Sequence, residues 1–196
     1  MEYPDLVDWQ IQHALNKGDI FISPFNKDNI QSNSYDVTLS DSFKIYHKVD
    51  DWEGHIVDPY DQSTMDHIHN SRWFEEIDGV DSIIIYPGQA ILASTREFIA
   101  LGPDIRAEIF GKSSIARLFV EQHQTGAWID AGFRGEITLE MVRNFPWPIR
   151  LHVGMPIAQL TFTRTEPCKL PYNLRKSAKY NHQKGAQVTK YAENKR

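Results

Sequence analysis

Apolar and polar positions change rhythm twice along this chain. Near the start, Leu6/Val7, Ile11 and Ala14/Leu15 recur at helical spacing, with Asp5 placed to cap and Gly18 placed to stop the helix they predict. IFIS (20–23) predicts a short strand, SPFNKDNIQSNS a turn-rich loop, and SYDVTL (34–39) and SFKIY (42–46) two further strands. Residues 47–81 then lose all periodicity. They are Asp-rich and carry Trp52, Trp73 and several histidines, the pattern of an insertion or long loop system. From residue 82 the rhythm returns as short strands punctuated by Gly and Pro: SIIIY, QAILAST, EFIAL, IRAEIFG, AWID, GEITLEMV, IRLHV and IAQLTFT. Their spacing of about 8–12 residues predicts an all-β barrel or jelly-roll-like sandwich. IIYPGQAILAST and LHVGMPIAQLTF share the form strand, Gly/Pro pair, strand, and are expected to occupy equivalent hairpins. The expected fold is therefore mainly β, a distorted barrel with a short N-terminal helix and few other short helices.

Composition narrows this further. At 196 residues, 41% apolar and 24% charged, the chain suits one globular domain spanning 1–196. No 18-residue apolar run occurs and mean hydropathy is −0.47, so no membrane-spanning helix is expected. The start, MEYPDLVDW, lacks the basic-then-apolar pattern of a signal peptide. A lone cysteine, Cys168, cannot build a disulfide framework or a multi-cysteine zinc site, and a reducing, cytoplasmic compartment is the expected home. The net charge of −5 argues against nucleic-acid binding. That charge is uneven. Residues 175–196 hold seven of the 21 basic residues and one of the 26 acidic ones, leaving 14 basic and 25 acidic residues, a net −11, on the rest. Such an end is either a solvated tail or a basic flap that orders over a phosphate-rich ligand; Tyr172, Tyr180 and Gly185 favour the second.

Four stretches could carry chemistry. GKSS (111–114) evokes a phosphate-binding loop, but the glycine that motif needs five positions earlier is Arg106. What remains is a strand breaking at Gly111 into a helical turn, whose free N–H groups and hydroxyls favour an anion or a polarised water. Arg117 lies one turn after Ser113 and can face the same site. Asp130 precedes a glycine-bearing turn, either as a turn initiator or as an acceptor for a sugar hydroxyl. In EITLEM, Ile137, Leu139 and Met141 share one face and Thr138 and Glu140 the other, and a glutamate facing a half-closed site is suited to shuttle protons. The tail PYNLRKSAKYNHQKGA interleaves aromatics with bases. Asp66-His67-Ile68-His69 would put two imidazoles on one face of a strand, but no third metal ligand is evident.

Taken together, Gly-Lys-Ser-Ser-Ile-Ala-Arg, His-Gln-Thr-Gly-Ala-Trp-Ile-Asp-Ala-Gly-Phe, Gly-Glu-Ile-Thr-Leu-Glu and Ala-Lys-Tyr-x-x-Gln-Lys-Gly-Ala resemble the dCTP deaminase family of the trimeric dUTPase-like fold. The resemblance is strongest over about 82–190, reaches weakly to 34–39 and is poor over 47–81. It implies a homotrimer with active sites at subunit interfaces. It implies that Glu140 is the catalytic glutamate, that Ser113 and Arg117 position the attacking water and the pyrimidine, and that Lys112 and Ser114 belong to the same nucleotide-binding run. Asp130 would meet the deoxyribose 3′-hydroxyl and Thr138 would lie in the base-contacting strand. Tyr172, Lys179 and Gln183 would close, with the 172–196 flap, over a triphosphate that carries Mg²⁺.

The implied reaction is zinc-independent hydrolysis of dCTP to dUTP and ammonia, with dTTP as an inhibitor. Zinc deaminases instead use His-x-Glu with Pro-Cys-x-x-Cys, and no His-x-Glu occurs in this chain. Monofunctional relatives carry His-Arg before Ile-Asp, where this chain has Ala127-Trp128. Its Thr-Gly-Ala-Trp run is closer to the bifunctional branch, which carries dCTP through to dUMP and pyrophosphate, although the Gly126-Ala127 order is swapped. The alternatives are that bifunctional branch, a silent nucleotide-sensing module, and a metal-dependent cupin-like barrel built on the scattered histidines.

Overall fold

Short alternating strands, joined mostly by Gly- and Pro-bearing corners, pack two larger sheets and a two-stranded ribbon around one apolar core. The computed structural model describes residues 5–47 and 56–191; Trp52 and residues 192–196 of the basic flap lie outside them. In chain order the elements are α1 (Asp8–Lys17), β1 (Ile20–Ser23), β2 (Tyr35–Thr38), β3 (Phe43–Tyr46), α2 (Gln62–His69), β4 (Phe74–Ile77), β5 (Ser82–Ile85), β6 (Ala90–Leu101), β7 (Ile105–Gly111), α3 (Ser113–Ala116), β8 (Val120–Glu121), β9 (Trp128–Ile129), β10 (Arg134–Arg143), β11 (Ile149–His152) and β12 (Pro156–Arg164). The first sheet runs β4-β3-β6-β10-β8, with β1 also on β6; the second runs β2-β12-β7-β9; β5 and β11 form the ribbon. The fold is mainly β with few helices, as expected, and the sheets do not close into a continuous barrel.

Period-two alternation does most of the sorting. On β10, Ile137, Leu139 and Met141 are buried, while Thr138 and Glu140 face a half-open surface. On β7, Ile105, Ala107 and Ile109 point inward between Arg106 and Glu108. Tyr35, Phe43, Leu139 and Phe162 are among the largest fully buried side chains, and they bring β2, β3, β10 and β12 into one core. Removing apolar surface of this kind from water is the main force holding such a domain together.

Several expectations are corrected. Asp5 does not cap α1: the N-cap is Val7, and Asp5 accepts from the Thr163 hydroxyl at 2.5 Å, pinning the chain start to β12. QAILAST and EFIAL form the single strand β6. Where they meet, Glu97 is only 2% exposed and accepts from the Thr38 N–H at 2.8 Å and the Thr38 hydroxyl at 2.7 Å. The strand takes up these residues in a bulge, where the β6–β10 register shifts between Glu136 and Thr138.

The two Gly/Pro-marked pairs are not hairpins either. Their first strands, β5 and β11, pair with each other, and each then turns a corner into a different sheet. Gly88 and Gly154 take positive φ at these corners, 73° and 80°, where a side chain would be strained. Finally, residues 56–81 are not structureless: Asp61 caps α2 through the Ser63 N–H, and β4 extends the first sheet beyond β3. His67 and His69 therefore sit on a helix, where a two-residue spacing does not share a face. The His67 ring stands edge-on to Trp73, and His69 packs on Tyr46 and Phe74. Burial lowers the pKa of His69. Among the described residues no helix is long and apolar enough to cross a membrane, and no group of three His, Cys, Asp or Glu side chains is placed to hold a metal.

Candidate active site

β10 brings the candidate residues together because its outward face looks into a cavity of about 440 Å³, within the range of small-molecule sites. Thr138 and Glu140 form its floor, flanked by Leu92 of β6, which pairs with Glu140, and by Tyr46 of β3. Asp130, at the end of β9, lies on the wall with Phe133 and Ile137. The C-terminal segment supplies Tyr172, Tyr180, Gln183 and residues 187–189 as a roof.

Asp130 is held from two sides. The indole N–H of Trp128 donates to one oxygen at 3.1 Å and the Arg175 guanidinium reaches the other at 3.4 Å. Trp128 in turn lies under the Arg106 guanidinium at 4.2 Å, and Arg106 is bonded to Glu108. The turn that follows requires Gly132, at φ 84°, because a Cβ there would come within 2.5 Å of Pro171. The chain passes so close to Glu140 at Gly126 that an added Cβ would lie 3.8 and 3.9 Å from its two carboxylate oxygens.

The roof adds to the free edge of β10 as a parallel extension of the sheet, a strand-addition mode of closure. The His182 N–H donates to the Arg134 carbonyl at 2.6 Å, the Glu136 N–H to the Gln183 carbonyl at 3.0 Å, and the Gln183 amide to the Glu136 carbonyl at 2.5 Å. The Gly185 N–H donates to the Glu136 carboxylate at 2.5 Å, and the Gln187 N–H to the Thr138 hydroxyl at 3.2 Å. Gly185 needs its positive φ of 62°, and a Cβ there would meet the Ser42 hydroxyl at 2.7 Å.

Of the residues expected to act, Glu140, Thr138, Asp130, Tyr172 and Gln183 line this one cavity. The others do not line it in a single chain. Ser113, Ser114 and Arg117 stand exposed on α3, which only Ile115 anchors to the core. Lys112 is bonded to Asp36 at 2.5 Å. Lys179 lies beside the lining residue Tyr180, with its ammonium group on the Lys190 carbonyl at 3.0 Å. Sequence reading missed Tyr46, Leu92 and Trp128. Tyr46 shares a face with Lys44 by alternation, but only the β3–β6 pairing shows which strand it stands beside. Burial pushes the Tyr46 phenol above its ordinary pKa.

A family model described as dCTP deaminase-like matches residues 6–165. A protein of Methanospirillum hungatei named "dCTP deaminase, dUMP-forming" is 48% identical over 191 residues, covering 97% of this chain and 98% of that protein. One of Methanoculleus marisnigri with the same name is 47% identical over 191 residues, 97% of each chain. A crystal structure of 2′-deoxycytidine 5′-triphosphate deaminase from Agrobacterium tumefaciens has the same fold at a TM-score of 0.63 and 21% identity. The likeness covers 84% of this chain, which spans about half (49%) of that one. The names of the first two relatives contradict the expectation that dUTP is the released product; the bifunctional alternative fits them better. By the family match and these relatives, the chain belongs to the dCTP deaminase-like family.

Proposed function

We propose that this protein is an enzyme converting dCTP to dUMP, ammonia and pyrophosphate. The observation that carries the reading is the gathering of Glu140, Thr138, Asp130 and the C-terminal roof around one cavity. In the first step water attacks C4 of the cytosine ring. The Glu140 carboxylate takes the water proton as the C–O bond forms and delivers it to N3. The carboxylate then carries the hydroxyl proton of the tetrahedral intermediate to its amino group, so that ammonia leaves and the C4 carbonyl of uracil remains. One carboxylate within hydrogen-bond reach can serve each of these transfers. In the second step water attacks the α-phosphorus, the bond to the bridging oxygen breaks, and pyrophosphate leaves dUMP behind. Asp130, held by Trp128 and Arg175, is shaped to accept the sugar 3′-hydroxyl. Thr138 meets the base, and its hydroxyl contact with Gln187 ties base binding to closure of the roof.

The substrate is the Mg²⁺ complex of the nucleotide. Mg²⁺ prefers oxygen donors and keeps much of its water, so phosphate oxygens suit it. The described residues offer no three-ligand cluster that would compete for it. Ser113, Ser114 and Arg117 are exposed on α3 and free to enter the site of a second copy, which supports a homotrimer with shared sites. dTTP shares the sugar and triphosphate and is expected to compete for the same cavity.

The test is product identification after incubation with dCTP and Mg²⁺. Ammonia, dUMP and pyrophosphate in equal amounts are expected. Accumulating dUTP would overturn the second step, and binding without turnover would overturn both.

A further inference from the structure

The C-terminal segment carries a pair of lysines treated unlike its other bases. Arg175, Lys176 and Lys184 are exposed, whereas Lys179 and Lys190 are half-buried. Each donates from its ammonium group to the other's backbone carbonyl at 3.0 Å. Each also lies over an aromatic ring at 5.8 Å, Lys179 over Tyr191 and Lys190 over Tyr180. The Lys190 N–H donates to the Tyr180 hydroxyl at 2.9 Å, and the Tyr180 N–H donates to the Tyr172 hydroxyl at 3.2 Å. Two half-buried ammonium groups thus rest on neutral carbonyls and ring faces, and among the described residues neither has a carboxylate within ion-pair distance. Neutral acceptors only partly compensate a cation held out of bulk water. An incoming polyanion offers both groups charged acceptors, and each has three N–H donors for its oxygens. The pair also has the right address. Lys179 adjoins Tyr180 and Lys190 adjoins Thr189, both of which line the cavity that holds Asp130 and Glu140.

We propose that Lys190 is a second phosphate-binding cation of the roof, acting with Lys179, and that the two ammonium groups grip the terminal phosphates of the nucleotide. This rests on the deoxynucleoside triphosphate reading above. On binding, both groups leave their carbonyls for phosphate oxygens, and the crossed contacts seen here are the resting position.

Calorimetric titration with inorganic tripolyphosphate tests this without requiring catalysis. The Lys190→Gln variant is expected to bind it at least about 10-fold more weakly, the scale of one charge-assisted hydrogen bond. Lys190→Arg should restore most of the affinity, and the exposed-lysine control Lys176→Gln should match the unaltered protein. With dCTP, Lys190→Gln should raise KM by a similar factor and leave kcat nearly unchanged. Tripolyphosphate binding by Lys190→Gln at unaltered strength would overturn the proposal, as would failure of the unaltered protein to bind it. Lys190-dependent tripolyphosphate binding without any turnover of dCTP would instead sink the enzymatic reading and leave this one standing.

Discussion

β10 and α3 contribute the two halves of the proposed site, and they are built on different terms. β10 is ten residues long, paired with β6 along most of its length and edged by the C-terminal segment. Its polar side chains are aimed by alternation and fixed by neighbours on both sides. α3 is four residues long with one buried anchor, Ile115; its Ser113 and Ser114, and Arg117 just after it, face solvent. A strand inside a sheet finishes its share of a site within one chain. A single exposed turn only presents side chains, and a second surface must give them a geometry.

The largest effect is expected where the finished half carries the chemistry. Glu140→Gln should still bind nucleotide but turn over at least about 100-fold more slowly, since general acid–base catalysis is worth at least that; near-normal rates would strip β10 of its role. Next comes the division itself. Glu140→Gln and Arg117→Ala should each be nearly inactive alone, yet regain activity when co-expressed as mixed oligomers, because some shared sites then hold both native residues. No recovery would mean that each chain completes its own site. Asp130→Ala should raise KM for dCTP by about 10-fold through loss of a charged hydrogen-bond acceptor, read by steady-state kinetics.

Smaller effects concern carboxylates on the neighbouring strand and loop. Burial holds the Glu97 carboxyl above its ordinary pKa of 4.5, opposed by the two Thr38 hydrogen bonds. A raised native pKa means that the native state binds the proton more tightly than the unfolded chain. Its contribution to stability is therefore full below 4.5 and lost as pH rises through the native value. The Tm advantage of the unaltered protein over Glu97→Gln should accordingly shrink as pH is raised from 4.5, and a constant difference would refute the linkage. Gly126→Ala is expected to be the mildest. Its methyl group meets the Glu140 oxygens at ordinary contact distance, so the fold should persist and steady-state turnover of dCTP should fall only slightly; loss of activity on the scale of Glu140→Gln would show that this close approach is essential.

What the sequence revealed follows from how local each signal is. Glu140 and Thr138 were legible because alternation is a local property of five residues. Asp130 was legible because a turn signal follows it at once. α2 was hidden because Met65 is its only buried residue and its cap, Asp61, is one aspartate among many. The unity of β6 was hidden because the partner that makes Glu97 tolerable, Thr38, is 59 residues away. The role of the Gly/Pro corners was misread for a related reason: the spacing marks a bend, but the choice between folding back and crossing to another sheet is made by strands far along the chain. Ser113 and Arg117 were legible only through the GKSS run and the family resemblance, since α3 is surface in one chain and the surface proposed to receive it is not adjacent in sequence.

The ribbon of β5 and β11 gives the corners a further meaning. Each strand runs on into a different sheet, β6 on one side and β12 on the other, so two antiparallel strands act as a common axle for both walls of the core. A one-residue slip along that axle would turn Ile83, Ile85 and Leu151 outward and at the same stroke shear β6 against β12. The alignment of the cavity floor is therefore set in part by a ribbon that touches none of it, and lesions there should surface as lost activity long before they surface as unfolding.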